Sequence, residues 1–297
     1  MADTKPKSSP KKHSGLVLLL RDIGVAGGLV ALVLLAMFTY AGQWPPLVVV
    51  ESSSMMHGDE NLSHVGTIDT GDLVLVQMVD RIDDIVTYVE GFTSGHRTYG
   101  DFGDVIVYKA DGSETATPII HRAMIYLEAN PDGMSYKAEA LQNLPPGKWS
   151  CSNPLATWDN LTGTIYILDV GYSGQTVTIS LQDLPRSVGN GYITKGDHNP
   201  TIDQPFRSAQ VPLSWVVGKA RGEIPWFGLL KLWSTHTLRG VAPENSVRNL
   251  WISIAAIVIA PILVDITLTY REKKRIAMKK EERSANRMRK EREKDGG

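Results

Sequence analysis

VVVESSSMMH, Val48–His57, is the stretch on which the reading of this chain turns. Three β-branched residues carry the backbone as a strand, and a run of serines and methionines ends it. The stretch follows closely on a long apolar segment, so a hydroxyl presented here lies near any membrane that segment crosses. Alone, such a serine cluster reads as a turn or a helix cap. Two later stretches change its meaning: IIHR at Ile119–Arg122 and GYITKGDHNPTIDQ at Gly191–Gln204. A hydroxyl, an imidazole and a carboxylate are the parts of an activated nucleophile.

Working outward, Ile23–Tyr40 is an uncharged run of 18 residues. At 1.5 Å per residue it covers about 27 Å, close to the ~30 Å of a bilayer's hydrocarbon core. It exceeds the usual apolar region of a cleavable leader, so residues 15–42 are expected to be a retained transmembrane helix. The basic arm before it, 1–14, carries four lysines and two prolines and is expected to be disordered and cytosolic. Leu250–Leu268 is a second apolar run, interrupted only by Pro261 and Asp265, and 249–270 is expected to span as well. The basic flank that follows places the C-terminal end in the cytosol too. Both ends inside put the intervening residues on the far side of the membrane. Residues 224–248 open with IPWFGLLKLWSTH, which reads as an amphipathic segment lying in the interface or packed on the core.

Between the spans, residues 43–223 read as an all-β domain. GDLVLVQMV, GDVIVYKA, TPIIHRAMIYLE, TGTIYILDV, QTVTISL and SWVVGKARG are rich in β-branched residues and separated by Gly, Pro and Asp. The polar stretches at 57–70 and 81–101 read as loops, and 141–190, with strands of its own, as an inserted subdomain. Asn61-Leu62-Ser63 and Asn160-Leu161-Thr162 are glycosylation sequons, compatible with an outside location.

Charge is unevenly spread. The chain totals −1, but 271–297 holds a surplus of six positives, leaving −7 on the rest. The tail reads as a solvated helix beside anionic lipid rather than a nucleic-acid binder. Cys151 is the only cysteine, which excludes an internal disulfide and any multi-cysteine zinc site. No metal or organic cofactor is indicated.

Taken together, Ser52-Ser53-Ser54-Met55, two Gly-Asp-plus-strand units (Gly71, Gly103), His121-Arg122, and Gly196-Asp197 with Asp203 six residues on resemble type I signal peptidase. The likeness is to its archaeal and endoplasmic-reticulum branch, which uses histidine as base. It covers discontinuous blocks beside a membrane anchor. The resemblance implies a signal-peptidase-like β fold and a membrane-bound serine endopeptidase that removes signal peptides from exported preproteins. Ser54 would then be the nucleophile, His121 the general base, and Asp203 or Asp197 its partner, with Asp203 preferred and Asp197 supporting the loop. The Ser54 N–H and the Ser52 hydroxyl would form the oxyanion hole. Implied partners are signal-peptide-bearing preproteins, the lipid bilayer and the secretory translocon. The implied location is the cell membrane, or the endoplasmic-reticulum membrane in a eukaryote.

Two departures stand out. Many family members carry proline where this chain has His57, and Gln204-Pro205 replaces the usual acidic-basic run. The other histidines, His57 and His198 among them, read as surface or loop residues. Alternatives remain open: a Ser/Lys dyad through Lys109 or Lys195, a sortase-like transpeptidase using Cys151, and a non-catalytic ectodomain or translocon accessory in which Ser54 and His121 are not neighbours.

Overall fold

A computed structural model describes residues 15–206, 208–239 and 241–295. The expected disordered arm, 1–14, lies outside them. The architecture is a β domain held between two apolar terminal helices. Helix α1 runs Gly15–Ala41, and its apolar window is not covered by any other part of the chain. A helix that is apolar all round and unburied by protein has the character of a membrane span. Both α1 and the last helix are long and apolar enough to cross a membrane.

The chain then forms β1 (Leu47–Val49), β2 (Leu73–Gln77), α2 (Tyr88–Ser94), β3 (Arg97–Thr98), β4 (Asp101–Phe102), β5 (Val105–Tyr108), β6 (Ile119–Ala129) and β7 (Tyr136–Lys137). There follow β8 (Trp149–Cys151), β9 (Thr164–Val170), β10 (Gln175–Ser180), β11 (Gly191–Lys195), β12 (Val216–Ile224), α3 (Gly228–Thr235) and α4 (Glu244–Asp295). The main sheet has the order β1-β2-β12-β5-β6-β11, with β7 added to β6. All its pairings are antiparallel. The last strand in sequence, β12, sits between β2 and β5, so the sheet closes only when distant segments meet. Strand β5 is buried at all four positions, as a central strand covered on both faces must be.

One feature differs from the sequence reading and two refine it. The stretch 81–101, expected to be loop, contains α2. Its start is a capping box: Thr87 Oγ1 accepts from Glu90 N at 3.3 Å and Glu90 Oε2 accepts from Thr87 N at 2.7 Å. The 141–190 region has its own sheet, β10-β9-β8, but not its own core. Leu161, Ile165, Ile167 and Val177 share one apolar cluster with Val89 of α2 and Met124 and Leu127 of β6. The aromatic-rich segment after β12 divides its apolar residues. Leu229 and Leu232 are buried against Leu250, whereas Leu230 and Trp233 are exposed.

Both terminal helices dock onto the β domain. Ala41 O, at the end of α1, accepts from Met78 N at 2.8 Å, and Gln43 Nε2 donates to Val76 O at 3.1 Å. At the start of α4, Asn245 exchanges hydrogen bonds with the Ser63 backbone at 2.9 and 2.8 Å. The helix runs unbroken through Pro261 into the basic tail.

Candidate active site

Strand β1 leads into a turn at residues 52–55 whose two ends are treated differently. Ser54 stays partly accessible, while Met55 and Met56 are 1% and 0% exposed. Met55 packs with Val50, Ile68, Val74, Val105 and Val107 beneath the sheet. Burying a side chain of this size is worth about 1.5–3 kcal/mol, so the methionines pin the turn that carries the hydroxyl.

Strand β6 supplies the imidazole. His121 pairs with Ile106 of β5 at the centre of the sheet and is 2% exposed. Its Nε2 lies 2.9 Å from Ser54 Oγ, and its Nδ1 lies 2.6 Å from Asp203 Oδ2. The same carboxylate oxygen accepts from Thr194 Oγ1 at 2.7 Å and Tyr108 OH at 3.0 Å. Burial alone would raise the Asp203 pKa. The His121 charge and hydrogen bond, with those from Thr194 and Tyr108, outweigh burial and hold the acid below its ordinary value. An ionised Asp203 accepts only, which makes His121 Nδ1 the donor. In the neutral imidazole, Nε2 then keeps its lone pair for the Ser54 hydroxyl proton.

Asp197 is not part of this chain of contacts. It takes a bidentate pair from Arg122, Nε to Oδ1 at 2.8 Å and Nη2 to Oδ2 at 2.6 Å. His57 Nε2 donates to Asp197 Oδ2 at 2.9 Å. Burial opposes the charge here too, but Arg122 and His57 overcome it and the carboxyl is held well below the usual carboxylate range. Arg122, 1% exposed, directs Nη1 to the Thr98, Phe102 and Gly103 carbonyls. Of the two acids, Asp203 contacts the imidazole and Asp197 ties the loop to the sheet. Ser52 Oγ lies 3.2 Å from Ser54 Oγ.

The other candidates have different partners. Lys109 Nζ pairs with Glu114 at 2.7 Å, and Lys195 Nζ donates to Gly196 O at 3.0 Å. Cys151 Sγ donates to Thr162 O at 3.1 Å. Two histidines expected at the surface or in loops do lie in loops, partly buried beside the serine turn: His57 on Asp197, and His198, whose backbone N–H donates to Ser54 O at 2.9 Å. Sequence reasoning also passed over Tyr108 and Thr194, which share the carboxylate with His121. No short-range pattern marks either of them. Among the described residues, no group of three or more His, Cys, Asp or Glu is arranged to hold a metal ion.

The serine opens on a cleft of about 400 Å³, lined by Val48, Val49, Ser52, Ser54, Ile119 and His121 among others. One wall is β1, the outermost strand of the sheet. Pro46 O accepts from Val76 N, and Val50 exchanges bonds with Asp72 O and Gly71 N, all on the β2 side. By strand alternation, Leu47 and Val49 turn their amide groups away from the sheet. That edge can accept an added strand. No protein-family model, curated protein or solved structure matches this chain.

Proposed function

We propose that this chain is a membrane-anchored serine endopeptidase of the type I signal peptidase kind, cutting signal peptides from exported preproteins. The observation that carries the reading is the relay Ser54 Oγ–His121 Nε2 at 2.9 Å and His121 Nδ1–Asp203 Oδ2 at 2.6 Å, set at a strand-edge cleft. A serine hydroxyl needs a base within hydrogen-bond reach to act as a nucleophile. His121 takes the Oγ proton as Oγ adds to the scissile carbonyl. It returns that proton to the departing amine when the C–N bond breaks. Water, deprotonated by the same imidazole, then adds to the acyl carbon, the C–Oγ bond breaks, and the imidazolium returns its proton to Ser54 Oγ. Asp203 stabilises the imidazolium throughout. The Ser54 N–H and Ser52 hydroxyl are assigned to the developing oxyanion, where one donor is typically worth about 10²–10³ in rate.

The surroundings support a membrane-bound substrate. The serine follows α1 closely in sequence, and the end of α1 is hydrogen-bonded to the domain that carries the site. An extended segment leaving the bilayer can pair with Leu47 and Val49 and present its carbonyl to Ser54. In this reading both helices span the membrane, both ends are cytosolic and the β domain lies outside. A non-catalytic ectodomain gives no reason for Ser54 and His121 to approach within 2.9 Å.

The test is cleavage of a secretory preprotein by the detergent-solubilised full chain, with the new N-terminus mapped by mass spectrometry. Cutting after a small-x-small site, and its loss when the small residue next to the cut is replaced by phenylalanine, is the expected result. Equal cutting of both substrates would contradict it.

A further inference from the structure

We infer that Tyr172, at the tip of the β9–β10 hairpin, is a positioning residue that braces the segment carrying Ser54. This gives the 141–190 region a part in catalysis, and it rests on the reading of Ser54 as nucleophile.

Two backbone segments flank the serine. One continues from it, with His57 three residues on. The other, residues 196–199, holds it from outside, since His198 N–H donates to Ser54 O at 2.9 Å. Tyr172 touches an imidazole from each. Its ring stacks on His57, with centroids 4.6 Å apart and planes at 25°. Its hydroxyl lies 3.1 Å from His198 Nδ1. His198 Nε2 is 3.0 Å from Glu60 Oε1, and that oxygen also accepts from Ser53 Oγ at 3.1 Å. His198 thus uses both ring nitrogens, Nε2 toward Glu60 and Nδ1 toward the Tyr172 hydroxyl. The contacts form a continuous chain: Ser53, Glu60, His198, Tyr172, His57, Asp197, Arg122. Its last member, Arg122, lies on β6 of the main sheet.

The hairpin tip is itself held. Gly171 N donates to Tyr88 OH at 3.1 Å, and Tyr88 is buried in the cluster that joins the 141–190 region to β6. Gly171 and Gly174 take left-handed φ of 74° and 64°, which lets the chain turn within four residues and aim Tyr172 at the serine loops. Stacking on the ring face and a hydrogen bond at its hydroxyl restrain both loops at once. Nucleophile–base alignment is sensitive to displacements of about 1 Å, each costing up to about 10² in rate.

Tyr172 is 43% exposed at a hairpin tip, so its replacement leaves the core intact. The full chain in detergent is compared as wild type, Tyr172→Phe and Tyr172→Ala, by preprotein cleavage kinetics and by hydrogen exchange of peptides covering 53–58 and 196–200. Tyr172→Ala is expected to lower kcat roughly tenfold or more with KM within about twofold, and to speed exchange in both peptides but not in β6. Tyr172→Phe keeps the stack and should recover most of the rate. Unchanged exchange in Tyr172→Ala, or faster exchange with unchanged kcat, overturns the inference. If wild type cuts no preprotein while Tyr172→Ala still frees both peptides, the brace stands and the protease reading falls.

Discussion

His121 and Arg122, adjacent on β6, send their side chains to opposite faces of the strand and so engage different aspartates: His121 reaches Asp203 at 2.6 Å, Arg122 reaches Asp197 at 2.6 Å. One dipeptide thereby separates two jobs that the spacing of the acids leaves entangled. In the proposed mechanism the acid on the imidazole orients the general base. The acid on the guanidinium holds a loop.

That division predicts opposite phenotypes. Asp203→Asn should keep a folded protein but lower kcat by about 10²–10⁴, because the imidazole loses its orienting acceptor. Asp197→Asn removes half of a buried ion pair and should cost stability, about 3–5 kcal/mol. Thermal melts run beside cleavage assays distinguish them. A stable, inactive Asp197→Asn and an unstable Asp203→Asn would reverse the assignment.

Gly196 stands where no side chain fits. A Cβ there would lie 2.6 Å from Ser54 O and 2.9 Å from His121 Nε2. Gly196→Ala must push the serine segment from its base, and a shift of about 1 Å should cost on the order of 10² in kcat/KM. Wild-type kinetics in this variant would mean that the two groups are free to move together.

Met55 is the buried pin of the turn that carries Ser54. Met55→Ala should destabilise the domain by about 2–5 kcal/mol, measured by thermal or denaturant unfolding in detergent. A loss below about 1 kcal/mol would show that the turn is held by its hydrogen bonds alone.

Stability should also depend on pH in a particular direction. Asp72, buried at the turn before β2, is pushed up to about 7, first by burial, with the Asp69 and Glu223 charges adding to it against two backbone N–H bonds. An acid raised in the folded state contributes fully below its unfolded value of about 4, and that contribution is lost as pH rises through about 7. Asp197 and Asp203, both lowered, contribute above about 4 and lose that contribution as pH falls through their folded values. The melting temperature should therefore be higher at pH 5 than at pH 8, and Asp72→Asn should flatten the difference whatever its effect on absolute stability. An unchanged slope in that variant would remove Asp72 as the cause.

The strands and the two apolar helices were legible because each is a local pattern: β-branched alternation between glycines, or uncharged runs of bilayer length. Ser54, His121 and Asp203 were singled out by the family resemblance rather than by any local pattern, and the structure brings the three side chains together. What stayed hidden depends on meetings across the fold. Helix α2 has only seven residues, including Val89 and Gly91, and its one signal was the Thr87–Glu90 capping box. His57 looks like a loop residue until Asp197, 140 positions away, is found beside it. Tyr172 is an ordinary hairpin-tip aromatic until the 141–190 region docks and sets it between two imidazoles. A sequence pattern does not specify such docking, because it follows from burying one apolar cluster shared by three distant segments.

The most direct test of the central claim is preprotein cleavage by wild type, Ser54→Ala and His121→Ala, purified alike and matched for melting temperature. A nucleophile and base 2.9 Å apart predict that wild type cuts and that both variants fall to background. Cutting by Ser54→Ala at the wild-type site would contradict it.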